Sequence, residues 1–168
     1  MRLTNPRGKV TRWIASRHPA AILYGIIIAG AVISATAGHE TSGGRVVGTT
    51  IFVLVVYWLA DLYVRAVAEQ FGGGRRSLPR RLRGAAARES GVLLGGVPAL
   101  LVVIVMTFTG TSVGSAADVA LWLTVVELGA LAYLAARHAG ATVREALIDA
   151  GLAALLGVVM VVSKTLLH

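Results

Sequence analysis

The sequence predicts an all-α, polytopic integral membrane protein with five transmembrane helices, the N-terminus in the cytoplasm and the C-terminus outside. Three observations predict it. The 168-residue chain is 56% hydrophobic and only 14% charged, against about 25% charged residues in soluble domains, so it lacks the polar surface that water would dissolve. Five apolar runs, at about 20–38, 46–67, 91–109, 117–136 and 146–166, each approach the ~20 residues a helix needs to cross a ~30 Å hydrocarbon layer. Basic residues gather before the first run and in alternate connections, as the positive-inside rule requires.

The segment 1–19 carries Arg2, Arg7, Lys9, Arg12 and Arg17, with Val10, Trp13 and Ile14 between them. It reads as a basic amphipathic stretch lying on the cytoplasmic surface and anchored by Trp13. The apolar run that follows is longer than the ~7–15 residues of a signal-peptide core, so it reads as a span. Residues 20–168 then form one five-helix membrane domain. In the first span, Gly30 with Ser34 and Ala31 with Ala35 place small residues four apart, a spacing that lets helices approach closely. The second span carries a polar stripe at i, i+4 spacing: Tyr57, Asp61, Arg65 and Glu69. In the third, Pro98 follows Gly95 and Gly96; it predicts a kink with freed carbonyls, serving either plain packing or a gate. Ser115 to Asp118 and Thr142 to Glu145 fit the capping-box spacing and predict the starts of the last two helices. The last span repeats the small-residue spacing with Ala150 and Ala154, and Ala153 and Gly157.

Orientation follows from the bases. The loop 68–90 holds Arg75, Arg76, Arg80, Arg81, Arg83 and Arg88, and the fourth connection has Arg137 and Arg144. The first connection has only Arg45, and the third, 110–116, has none. The net charge of +8 is therefore assigned to loops that face anionic lipid headgroups, and not to nucleic acid. The Arg75–Arg83 segment reads as a topology determinant or as a docking surface for acidic lipid or a partner membrane protein.

Glu127 lies near the middle of the fourth span. A charged group at the bilayer centre costs ~3 kcal/mol or more, and acids found there are candidates for function. At ~1.5 Å per residue it sits about 13 Å from the expected outer helix start, with Thr124 three residues earlier on the same face. Two roles stand open: a proton acceptor or cation ligand, or a protonated acid bonded to a neighbouring helix. Asp61 is expected in the inner third, either paired with Arg65 or lining a vestibule with Tyr57. Asp149, two turns past the Thr142 cap, is expected at a similar depth, either simply sitting at the interface or joining the other two acids. The three acids would form a graded path from the cytoplasmic side.

The remaining motifs exclude chemistry more than they assign it. There is no cysteine, which removes disulfides and thiolate sites. Gly110 to Gly114 matches G-x-S-x-G around Ser112, but in a loop of small residues without the strand-to-helix elbow that exposes a nucleophile. His39 and Glu40 are adjacent, which is not a metal site. The chain is read as a non-enzyme with no cofactor, its metal binding unassigned.

Five spans with the N-terminus inside, the C-terminus outside and a large loop after the second helix, together with Tyr24-Gly25 in the first span, resemble the vacuolar iron transporter (CCC1-like) family. That resemblance implies a dimer exchanging divalent metal for protons. This chain has Ile26, Ile27 and Ile28 where an acid would follow Tyr-Gly, and an arginine-rich loop in place of the acidic metal-collecting one. No family site residue is carried over.

The expected function is transport of protons or a small cation or solute, centred on Glu127, with Asp61 and Asp149 as the approach and Thr124, Tyr57, Arg65 and Pro98 in support. The expected setting is the cytoplasmic membrane of a prokaryote, as a multi-pass homodimer. The alternative is a non-transporting membrane module that binds a partner protein or anionic lipid through its basic cytoplasmic face.

Overall fold

Each apolar run folds as one helix: α1 (Pro19–Thr36), α2 (Gly43–Phe71), α3 (Gly91–Phe108), α4 (Val113–His138) and α5 (Val143–Leu167). The computed structural model describes residues 19–40, 42–71, 86 and 90–167. The basic N-terminal segment and Arg75, Arg76, Arg80, Arg81, Arg83 and Arg88 lie outside the described residues, as does the side chain of Glu69. Helices α2, α3, α4 and α5 are long and apolar enough to cross a membrane, whereas the apolar part of α1, Ala20–Thr36, is shorter. The expectation of five comparable spans is thus met by four full-length helices and one short one.

The last two turns share one chemistry. After α3, Gly110 adopts φ +84°; its amide bonds the Thr107 carbonyl, and the Thr111 amide bonds that of Met106. After α4, Gly140 adopts φ +89°, with Gly140 bonded to Arg137 and Ala141 to Ala136 in the same way. Both are Schellman closures, which need a left-handed residue that only glycine adopts at little cost. A hydroxyl cap follows two residues later each time, turning the chain straight into the next helix.

The caps correct one expectation. Thr142 and Glu145 form the reciprocal box: Glu145 Oε2 accepts from the Thr142 amide at 2.7 Å, and Thr142 Oγ1 accepts from the Glu145 amide at 3.3 Å. Ser115 and Asp118 do not. Helix α4 begins a turn earlier, with Ser112 Oγ accepting from the Ser115 amide at 3.3 Å. Asp118 instead accepts from Lys164 near the end of α5. Both spacings match a box, but Ser112 directly follows the Schellman closure and so caps first.

Helix α1 is the hub. It packs against each of the other four, while α2 rests mainly on α1 and α3, and α5 on α4 and α1. The register runs parallel for α1 and α3, where Gly91 meets Ala21 and Ile22 and Gly96 meets Ala29. It runs antiparallel for α4 and α5, where Gly157 meets Val125 and Gly129 meets Ala154. The tightest crossing joins Gly25 to Gly95. A methyl group at Gly25 would overlap the Val92 carbonyl, and one at Gly95 would overlap the Ile22 carbonyl. Backbone therefore lies on backbone at this point. The enabling spacing, Gly91 and Gly95, is the small-residue pattern of close helix pairs.

The sequence-level pairs divide: Gly30 with Ser34 and the two pairs of α5 lie at helix contacts, whereas Ala31 and Ala35 are exposed. Gly30 faces Thr124 and Met160, and Ser34 donates a hydrogen bond to the Met160 carbonyl at 3.1 Å. The interior is built from small and β-branched residues such as Ala29, Ile33, Val103, Ala117 and Ala120, whereas Phe52, Tyr63, Leu101, Phe108 and Trp122 point outward. Water would penalise such an exterior; hydrocarbon does not.

Two predictions follow from this packing. Gly95→Ala or Gly25→Ala should cost about 3 kcal/mol or more by forcing the crossing apart, whereas Gly151→Ala, in open space, should gain ~0.5–1 kcal/mol. Thermal unfolding in detergent micelles reads both; equal melting temperatures for the Gly95 and Gly151 variants would contradict the crossing. By the same measurement, Gly140→Ala should cost ~1–2 kcal/mol because an L side chain is strained at that φ.

Candidate functional site

Glu127 stands within two residues of the centre of α4, ~21 Å from its start and ~17 Å from its end at 1.5 Å per residue. The carboxyl borders a half-open groove of about 240 Å³ between α3 and α4, with α1 as the floor. Ile22 and Ile26 come from α1, Leu94, Gly95 and Pro98 from α3, and Ala130 and Leu131 from α4. Apart from Glu127, every side chain there is apolar. Oε2 of Glu127 is buried with no hydrogen-bond partner among the described residues.

The second of the two roles the sequence left open needs a bonding partner on a neighbouring helix, and none is found among the described residues. Thr124, the nearest candidate partner on the same face, is fully buried and donates to the Leu121 carbonyl of its own helix at 2.7 Å. It packs against Gly30 of α1 and does not hold Glu127. Polar ties between helices are made elsewhere, by Ser34 with the Met160 carbonyl and by Lys164 with Asp118. Pro98 belongs to the groove as well. Lacking an amide hydrogen, it cannot bond the carbonyl of Leu94 one turn back, and Leu94 also lines the groove.

Asp61 lies elsewhere. Arg65 Nε donates to both of its carboxylate oxygens, at 3.2 and 3.3 Å, which is the i, i+4 pair expected from the stripe. Together with Tyr57, Tyr24 and Val92 they line a separate half-open groove of about 310 Å³. Helix α2 rests on α1 and α3 rather than on α4, so Asp61 and Glu127 open on different grooves. Asp149 is on an exposed face of α5 and lines neither. The graded path of three acids is not assembled within one chain.

Among the described residues, no three His, Asp or Glu side chains gather as a metal site. Ser112, the centre of the G-x-S-x-G match, spends its hydroxyl on the α4 cap. Sequence reasoning missed Ile22, Ile26, Leu94 and Leu131 as lining, and Tyr24 as the α1 contribution to the Asp61 groove. A single apolar run carries no mark of which neighbour it will face. The Gly91-to-Gly95 spacing was the one legible signal that α3 would bring Leu94 and Pro98 close to α1.

Among the described residues, Oε2 of Glu127 makes no hydrogen bond that would tie helices together. Glu127→Leu should therefore keep or raise thermal stability in micelles, by about 1 kcal/mol, because it removes an uncompensated buried polar group. A loss of 2 kcal/mol or more, of the order expected for breaking a buried polar network, would return Glu127 to a structural role.

Compared with known proteins, the chain matches no family model, no curated protein and no solved structure.

Proposed function

We propose that this chain is a small multi-pass membrane protein that carries protons or a small cation, with Glu127 as the group that takes up and releases the charge. One observation carries the reading: a mid-helix carboxyl oxygen, buried and without a partner among the described residues, belongs to a residue that lines a half-open groove. Keeping an acid there costs free energy, and no hydrogen bond among the described residues offsets it at Oε2. A carrier needs such a group, because a site satisfied by its own scaffold has nothing left to offer a cargo.

The sidedness we propose has the N-terminus in the cytoplasm and the C-terminus outside. Charge at the helix ends supports it. On one side, Arg45 pairs with Glu40 at 3.2 Å and Lys164 with Asp118, so each base meets an acid. Arg137 and Arg144 lie at the other end of α4 and the start of α5, in the connection read as cytoplasmic. Lys164, a base on the side read as outer, is thus neutralised by Asp118. The Asp61–Arg65 pair is placed in this reading as a self-compensated polar stripe on α2, outside the carrier site.

Purified protein in sealed vesicles should pass protons or a monovalent cation down an imposed gradient, and Glu127→Gln should lower that flux at least ~100-fold, the scale of removing one essential proton-transfer group. Full flux in the Gln variant would overturn the assignment. No flux in the wild type, with a partner protein co-purifying in fixed ratio, would favour a non-transporting module.

A further inference from the structure

The groove at Glu127 has the wrong chemistry for a bare inorganic ion. Hard cations such as magnesium or calcium require about six or more oxygen ligands, and their hydration is costly to remove. Here one carboxylate is set among Ile22, Ile26, Leu94, Gly95, Pro98, Ala130 and Leu131. Those walls suit an apolar body, and the carboxylate suits one positive charge.

We propose that the Glu127 groove binds a small apolar organic cation, an ammonium carried on a single ring or short hydrocarbon body, drawn sideways from the bilayer. This deepens the transport reading and rests on it: the organic cation is the cargo, and Glu127 carries either it or a proton. Four features of the groove support the assignment. Its volume of about 240 Å³ lies below the ~300–1,000 Å³ of sites for drug-sized ligands, which limits the body to about one ring. Charge complementarity selects a cation, since an ammonium against the carboxylate compensates a charge that hydrocarbon penalises. The groove is half-open between α3 and α4 beside the outward-facing Leu94, so a bilayer-dissolved molecule reaches it without crossing an aqueous mouth. The carbonyl of Leu94 is denied its helical donor by Pro98, which leaves an acceptor on a residue that lines the groove. No aromatic side chain lines the groove, so selection rests on the carboxylate and not on a cation–π cage.

The test uses benzyltrimethylammonium, whose charge is permanent, so that acidification acts on the protein alone. The other residues lining the groove from α1, α3 and α4 carry no titratable group. Equilibrium dialysis of the radiolabelled probe against the full chain in micelles should give saturable binding to one site at mildly alkaline pH. Affinity should fall at least ~10-fold, the worth of ~1.4 kcal/mol, on acidification and in Glu127→Gln. Glu127→Asp should retain measurable binding, and Ala130→Phe should abolish it by filling the groove while leaving the carboxyl in place. Neopentylbenzene, the uncharged isostere, should not displace the probe.

Undiminished binding in Glu127→Gln or Ala130→Phe would overturn the site. Absence of probe binding with Glu127-dependent proton flux intact would overturn the organic cation and leave the proton carrier standing. Loss of both would remove the transport reading as well. Oxidative cross-linking of Ala130→Cys into a dimer, without probe binding to the wild type, would assign the groove to a second copy of the chain and overturn the proposal.

Discussion

The close approach of α1 and α3 at Gly25 and Gly95 governs the rest of the bundle. Helices in hydrocarbon gain little from hiding apolar surface, because the lipid is as apolar as they are. Dispersion between well-fitted surfaces and a few hydrogen bonds remain to hold them. Dispersion falls off within fractions of an ångström, so a pair joined through glycine gains contact along its whole length. Here the carbonyls of Ile22 and Val92 occupy the space that two Cβ atoms would need. The crossing seats α1 where each of the other four helices can pack on it.

The candidate site inherits its shape from that crossing. Ile22 flanks it on α1, Leu94 and Gly95 on α3, and the same residues form the floor and one wall of the Glu127 groove. Glycine at position 95 thus brings two helices together and leaves room beside them. Pro98, one turn along, removes a backbone donor on the same wall. The second groove, at Asp61 and Arg65, is bounded by Tyr24 just before Gly25 and by Val92 across the crossing. Both polar features of the bundle therefore sit against one backbone contact, on different sides of it.

The two acids differ in how their charge is met. Asp61 accepts from an arginine one turn later on its own helix, so its partner was visible as i, i+4 spacing. Glu127 has no such neighbour: the residues a turn away are Leu123, Thr124, Ala130 and Leu131. Thr124 was a reasonable candidate on spacing, but a buried threonine in a helix can bond the carbonyl three or four residues back, and this one does. The helix ends were legible to within a few residues because glycine, hydroxyl and carboxylate positions follow local rules. The start of α4 was misplaced because Ser112 and Ser115 both satisfy them, and only the Schellman turn before Ser112 selects between the two.

Length, composition and the spacing of apolar and basic residues determined an all-helical chain with membrane-length helices. They also marked Glu127 as an acid in apolar surroundings and Asp61 as one with an arginine a turn away on its own helix. Those are properties of single helices, set by hydrophobicity, by a 3.6-residue period and by hydrogen bonds a turn apart. Which helix lies at the centre, and that Asp61, Asp149 and Glu127 do not share a cavity, was decided only by tertiary structure. Contacts between helices depend on the fit of whole surfaces, and a run of Ile, Val, Leu and Ala looks alike on every side until a neighbour is placed against it.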